Sequence, residues 1–182
     1  MAEPDKARWD DRHAAGPDVA PRPPAAMHGS VELVPTAGTA LDVACGRGAV
    51  AVWLAERGLR VDAVDVSPVG LAAGAALARR HGVGGRVRWW RHDLDVGLPD
   101  ACAGPYAVVV CQRYRDPALY PALAARLAVG GLLVVTVLST VGWRAGRWRA
   151  GPGELPDAFP GLEVLAAAEG DGEAHLVARR SG

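Results

Sequence analysis

From residue 40 onward, short apolar runs alternate with longer Ala-rich segments of helical spacing. Ala40 to Ala44 predicts a first strand, and Ala49 to Arg57 predicts a helix closed by Gly58. Val61 to Val66 predicts a second strand. Ser67 ahead of Pro68 is an N-cap followed by a first-turn proline, opening a helix that runs to His81 before Gly82. Val87 to His92 predicts a third strand. Tyr106 to Cys111 predicts a fourth, and its run Val108, Val109, Val110 suits a strand buried on both faces. Pro117 to Ala128 predicts a helix ended by Gly130 and Gly131, with Leu132 to Leu138 as the fifth strand. Strands that alternate with helices imply a parallel sheet with right-handed crossovers, an α/β fold. The tail departs from the pattern. Leu162 to Ala168 and Glu173 to Ala178 flank Glu169-Gly170-Asp171-Gly172, which predicts a hairpin and an antiparallel edge strand.

The first 36 residues read differently. Lys6 to Ala15 predicts a short helix carrying Trp9 and His13. Pro17, Pro21, Pro23 and Pro24 predict an extended arm, and Ala25 to Val34 a second helix. The expected division is an N-terminal arm or lid over 1–36 and one globular domain over 37–182.

Composition narrows the functional classes. At 182 residues the chain can bury one real core. Twenty basic and twenty acidic residues leave no field to hold a phosphate backbone, so nucleic acid is not the expected partner. Cys45, Cys102 and Cys111 are odd in number and form no CxxC pair, which argues against a disulfide framework or a structural zinc. Such usage suits a reducing cytoplasm. The charged start, with Glu3, Asp5, Lys6, Arg8 and Asp10, has no apolar leader segment, and no apolar run reaches membrane-spanning length. A monomer and a homodimer fit the sequence equally.

The chemistry concentrates at Leu41-Asp42-Val43-Ala44-Cys45-Gly46-Arg47-Gly48, where a strand passes into a helix. Glycines there let the backbone turn tightly and approach a ligand, and the helix presents its N-terminus. Gly46 to Ala51 alone also satisfies the loose GxGxxA of a nicotinamide-binding turn. Three acids refine the choice. The Asp42 carboxylate can face an ammonium group. Asp65, at the end of the second strand, is placed to accept ribose hydroxyls. Asp93 in His92-Asp93-Leu94 can accept from an adenine amino group, with Asp95 as a competitor for that role.

With these residues in view, the chain resembles a class I S-adenosylmethionine (SAM)-dependent methyltransferase. The segment Leu41 to Gly48 is similar to that family's first motif, with Ala44 where glycine is common. Val61-Asp62-Ala63-Val64-Asp65-Val66-Ser67-Pro68 resembles the second motif, Asp93-Leu94 the third, and Leu127 to Leu133 the turn before the fifth strand. The resemblance spans roughly Asp42 to Ala178. It implies a Rossmann-like sheet of seven strands, mostly parallel with the last antiparallel, and helices on both faces. It implies SAM as cofactor, S-adenosylhomocysteine as product, and a cofactor site formed by Asp42, Ala44, Gly46, Gly48, Asp65, Val66, Asp93, Leu94 and Cys111. A narrower likeness, to small bacterial methyltransferases of the tellurite-resistance and thiopurine type, rests on Arg8-Trp9-Asp10-Asp11-Arg12-His13, Gly153-Glu154-Leu155 and Phe159 to Val164. In such proteins the N-terminal arm closes over the cofactor. Many relatives carry a histidine after the fourth strand, roughly where this chain has Arg115, so a role resting on that histidine does not transfer.

Methyl transfer is an in-line displacement, so the protein chiefly aligns nucleophile, methyl and sulfur. A base is required only for a neutral hydroxyl or an ammonium acceptor. His13 and Tyr114 are the candidate bases, and Gln112 and Arg113 the candidate acceptor contacts. Trp143 and Arg144, in the Trp/Arg-rich loop after the fifth strand, can stack on a flat ring and pair with an anion. No inserted cap domain is evident, which favours a small-molecule acceptor, with a hydroxyl on a sugar or phenol as the first expectation. A thiol acceptor, a nicotinamide-dependent reductase and a SAM-binding module without activity remain the alternatives.

Overall fold

The computed structural model describes residues 9–14, 19–146 and 148–182. Seven strands form one sheet: β1 Thr39–Val43, β2 Arg60–Asp65, β3 Val87–Arg91, β4 Tyr106–Gln112, β5 Leu127–Leu138, β6 Glu163–Gly170 and β7 Glu173–Arg179. Their order is β3-β2-β1-β4-β5-β7-β6. β7 is antiparallel to both neighbours, and the remaining pairings are parallel. The helices are α1 over 9–14, α2 Ala49–Glu56, α3 Pro68–Arg80, α4 Tyr120–Ala125 and α5 Glu154–Ala158. The expected α/β fold with an antiparallel last strand is therefore present.

The sheet core follows from the period-2 alternation of strands buried on both faces. Val109 and Cys111 of β4 join Leu41, Val43, Leu133 and Leu176 on the face packed by α4 and α5. Val108 and Val110 join Ala40, Val134 and Val177 on the face packed by α2 and α3. Ser67 caps α3 as its sequence predicts, its hydroxyl accepting from the Gly70 amide at 3.1 Å.

The strand order and several boundaries differ from expectation. β7 inserts between β5 and β6, so the antiparallel strand is internal and β6 is the edge. The hairpin turn is only Asp171-Gly172, both with positive φ, because strand pairing extends to Gly170. The helix expected over Pro117 to Ala128 is reduced to α4. Residues 117–119 form a turn, and Leu127 already pairs with Tyr106 in the sheet. Gly130 and Gly131 lie inside β5, where the β4–β5 register shifts. A Cβ on Gly131 would lie 2.8 Å from the carbonyl oxygens of Ala128 and Tyr106.

The helix expected over Ala25 to Val34 is instead two single 3-10 turns, Ala25–Met27 and Val31–Leu33, separated by Gly29 at φ +86°. Met27 and Val34 are buried with the α2/α3 face of the sheet. Residues 19–24 form no regular element, yet Pro24 is buried and the Arg22 amide donates to the Ala49 carbonyl. Within the expected Lys6–Ala15 helix, residues 9–14 are helical. Lys6 to Arg8, Ala15 and Pro17 lie outside the described residues.

Trp89 and Trp90 face opposite sides of the sheet, as adjacent strand residues must. The Trp89 ring fills the gap between Gly48 at the head of α2 and Gly74 in α3. A Cβ on Gly74 would meet Trp89 Cζ3 at 2.5 Å. Gly74→Ala gains about 1 kcal/mol of helix propensity. Overpacking opposes it with about 1–3 kcal/mol. In urea denaturation Gly74→Ala should therefore destabilise the protein, and the sign should reverse in a Trp89→Leu background. A stabilising Gly74→Ala in the native background would show that the ring yields freely.

Candidate active site

β1 and β4 are adjacent at the middle of the sheet, and their crossovers leave in opposite directions. This is the switch point at whose C-terminal edge open α/β sheets bind ligands. A cavity of about 370 Å³ lies there, within the usual size of small-ligand sites. Ala44 and Gly46 line it from the β1–α2 turn, Asp65 and Val66 from the end of β2, and Leu94 from beyond β3. Gln112, Arg113 and Tyr114 follow from β4, Leu138 from β5, and Trp9, Arg12 and His13 from α1.

The turn after β1 places Ala44, Gly46 and Gly48 at φ +55°, +53° and +75°. Ala44 adopts the left-handed region despite its Cβ, at a cost of roughly 1–2 kcal/mol. Arg113, at φ +57°, is a second such residue on the cavity wall. Asp65 organises the turn: the Gly46 amide donates to its Oδ2 at 2.8 Å, and the Ser67 amide to its Oδ1 at 2.9 Å. Each oxygen retains a lone pair for a further donor.

α1 is docked across this turn. The Ser67 hydroxyl donates to Asp10 Oδ1 at 2.5 Å. The His13 ring covers Gly46 and Gly70 so closely that a Cβ on Gly46 would lie 3.2 Å from its Cε1. Trp9 stacks on His13 with ring centres 6.0 Å apart. Burial lowers the His13 pKa from its ordinary value, partly offset by Asp65, so the imidazole is neutral at pH 7. Tyr114 is shifted the other way. Burial, then Asp116 and Asp95, raise its pKa, leaving a phenol that can donate a hydrogen bond at neutral pH.

Asp42, in β1 two residues before Ala44, is 1% exposed and is not among the residues that line the cavity. Burial pushes its carboxyl up to about 8, opposed by a hydrogen bond from the Ala51 amide and reinforced by the Asp65 charge. Its Oδ2 is buried without a hydrogen-bond partner among the described residues. An orphaned buried oxygen of this kind is costly unless a ligand supplies the missing donor.

The other expected site residues are placed as follows. Cys111 is buried in β4, its thiol pushed up to about 12 by burial and by Asp42. Gly48 faces Trp89 and Gly74; it does not line the cavity. Asp93 caps the 3-10 turn Leu94–Val96 by accepting from the Asp95 amide at 3.0 Å, and only Leu94 of that pair lines the cavity. Trp143 and Arg144 lie in the loop after β5, outside the cavity lining. Trp143 instead sits under the Arg149 guanidinium, which donates to the Ser139 and Gly172 carbonyls. Arg115 makes a two-pronged bond to Glu154, both contacts 2.7 Å, tying α5 to the β4–α4 connection. Asp62 points to the opposite face of the sheet from the α2/α3 layer, where Arg88, Trp90 and Tyr106 bind its carboxylate. Trp9, Arg12 and Leu138 were not among the expected site residues. Trp9, Arg12 and His13 at i, i+3 and i+4 share one helix face, a signal already present in the sequence.

Among the described residues no group of three or more His, Cys, Asp or Glu side chains is arranged to hold a metal, and no helix is long and apolar enough to cross a membrane.

A methyltransferase-domain family model matches residues 40–131. The chain is 32% identical over 185 residues to a ribosomal RNA small subunit methyltransferase C of Chromohalobacter salexigens, covering 88% of this chain and 51% of that protein. It thus spans about half the length of that relative. TehB from Haemophilus influenzae superposes with a TM-score of 0.75 at 15% identity, over 95% of this chain and 67% of TehB. A geranyl diphosphate C-methyltransferase from Streptomyces coelicolor A3(2), in complex with Mg2+, geranyl diphosphate and S-adenosyl-L-homocysteine, superposes with a TM-score of 0.69 at 16% identity, over 97% of each chain. The matched domain takes in β1 to β4, from Ala40 onward, with the glycine-bearing turn after β1, and on that footing the chain belongs to the class I SAM-dependent methyltransferases, with SAM as its cofactor.

Proposed function

We propose that this protein transfers the methyl group of SAM to a small-molecule acceptor, with a hydroxyl as the receiving atom. The observation that carries this reading is the compact cavity at the switch point, bordered by α1 and lined by Asp65. A chain of zero net charge, with a site of this size, suits a small acceptor better than a polynucleotide. The ribosomal RNA relative has about twice this chain's length, so its substrate is not carried over. A cytoplasmic setting fits the three free cysteines.

In this reading Asp42 holds the methionine ammonium, Asp65 the ribose hydroxyls, and the Asp93–Leu94 turn the adenine. Ala44, Gly46 and Val66 supply the close main-chain wall, while Gly48 and Cys111 support it from behind. The bound cofactor supplies an activated methyl electrophile. Gln112 and Arg113 orient the acceptor. In the same reading His13, whose pKa is lowered by burial, takes the hydroxyl proton, and Tyr114, whose pKa is raised by burial, donates a hydrogen bond to the acceptor. Trp143 and Arg144 would serve acceptors long enough to reach beyond the cavity.

Calorimetric titration with S-adenosylhomocysteine tests the reading. Wild type should bind in the micromolar range. Asp65→Asn should bind more weakly by roughly tenfold or more, the worth of a hydrogen bond to a charged acceptor. NADH should not bind. Wild type that binds NADH and not the adenosyl ligand would overturn the reading. A methyl-transfer assay over hydroxyl and thiol acceptors then separates the two nucleophile classes.

A further inference from the structure

The loop after β5 is a built feature. A parallel bridge joins Ser139 to Ala150, and the Ala150 amide donates to the Leu138 carbonyl at 2.7 Å. The Arg149 guanidinium donates to the Ser139 and Gly172 carbonyls at 2.7 and 3.1 Å. The Gly172 amide donates to the Val141 carbonyl at 2.9 Å. Trp143 is held at its base against the β6–β7 turn, where a Cβ on Gly172 would lie 3.2 Å from its Cβ. A loop pinned in this way still leaves Trp143 63% and Trp148 55% exposed. Tryptophan is mostly buried in folded proteins. Exposed apolar side chains that gather on one side of a molecule mark an interaction site.

The gathering is on the edge that bears the cavity. The exposed large hydrophobic side chains are Val69, Val96, Val129, Trp143, Trp148 and Val164. Val69 follows β2, Val96 follows β3, and the two tryptophans follow β5. These four therefore share the C-terminal edge of the parallel strands, where the cavity opens. The ends of β3 and β5 are four strand spacings apart, roughly 19 Å. The apolar tips thus stand on both sides of the cavity, which lies between those strands at β1 and β4.

We propose that this edge docks on a phospholipid surface carrying anionic headgroups, with the loop after β5 as its anchor and the cavity turned toward the lipid. The proposal goes beyond the methyl-transfer reading and does not depend on it. An indole has an apolar body and a polar N–H, and it settles where headgroups meet acyl chains. Arginines beside it pair with phosphate oxygens. Arg144 and Arg149 lie between and beside the tryptophans, and the segment 140–151 holds no acidic residue. Asp171, exposed at the β6–β7 turn against Gly142, is an acid beside the loop, and the arginines outnumber it. That excess favours anionic headgroups. A polynucleotide is the poorer match, because Val69 and Val96 offer it neither charge nor a ring to stack on. No helix among the described residues is long and apolar enough to span a membrane, so the attachment is peripheral.

Co-sedimentation of the full chain with sucrose-loaded vesicles tests the proposal, using phosphatidylcholine alone and an equal mixture of phosphatidylcholine and phosphatidylglycerol. Wild type should sediment with the mixed vesicles and much less with phosphatidylcholine alone. Trp148→Ala should weaken that binding roughly tenfold or more, and Trp143→Ala with Trp148→Ala should abolish it. Arg144→Gln should weaken it roughly fivefold. These side chains are exposed, so thermal unfolding of each variant should match wild type. Wild type that sediments with neither vesicle, or equally with both, overturns the proposal. So does vesicle binding that survives the double tryptophan variant, or wild type that binds polyuridylate and not vesicles. Each of those results leaves the affinity for S-adenosylhomocysteine unaffected. Wild type that binds the mixed vesicles and not S-adenosylhomocysteine supports this surface and overturns the methyl-transfer reading alone.

Discussion

Asp42→Asn should weaken S-adenosylhomocysteine by roughly 100-fold, the upper range for a hydrogen bond between charged groups, and should not reduce stability. The substitution keeps an acceptor for the Ala51 amide and removes a carboxylate whose Oδ2 has no partner. The pH dependence follows from the same group. Its folded pKa of about 8 lies above the ordinary 3.8. Between those values the folded protein keeps a proton that the unfolded chain has released, so this group's contribution to stability is full below the lower value and is lost as pH rises through the upper one. Asp42→Asn should flatten that slope in urea midpoints measured across the range. Binding runs the other way. An ammonium ligand favours the ionised carboxylate, so wild-type affinity should rise with pH, by up to about tenfold per unit. The rise is best read below about pH 7.5, where the ligand amine is still protonated. Equal pH profiles for wild type and Asp42→Asn would remove Asp42 from the ammonium role.

Asp62→Ala should give the largest loss of stability, about 2–4 kcal/mol, from the buried Tyr106 hydroxyl and the half-buried Trp90 indole that it orphans. Its carboxylate is 4% exposed. It accepts from Trp90 Nε1 at 2.9 Å, Tyr106 Oη at 2.8 Å and Arg88 Nη2 at 2.8 Å. Arg88 is 68% exposed and rehydrates readily, so Trp90 and Tyr106 carry most of the effect. For a chain of this length the expected fall in Tm is about 5–15 °C. Tyr106→Phe removes one of the three bonds and should cost about 1 kcal/mol. Binding of S-adenosylhomocysteine to the folded Asp62→Ala protein should be little changed, because Asp62 faces away from the cavity. A stability change under about 0.5 kcal/mol, typical of ordinary surface substitutions, would show that these donors find water instead.

The contrast between Asp62 and Asp65 shows what was legible. Both lie on β2, and the strand-end position singled out Asp65, whose carboxylate does line the cavity. The sequence offered no reason for the burial of Asp62. Its partners come from β3 and β4, whose register against β2 is a property of the assembled sheet. Gly48 is similar. The positive φ was implied by the turn, but the residue that excludes a side chain there is Trp89, 41 positions away along the chain.

Short-range physics decided most of the fold from sequence alone. Apolar period, the Ser67-Pro68 cap and the Gly-terminated helices placed six of the strands and both major helices to within a few residues, because those signals act between residues at most four apart. The long β5 was the exception, its bulge depending on Tyr106 and on the tail. Only the tertiary structure decided that Met27 and Val34 belong to the core, that β7 lies inside β6, and that α1 presents Arg12 and His13 to the cavity. Each of those outcomes depends on which distant surfaces can be buried together, and burial is settled by the packed sheet, not by the local sequence.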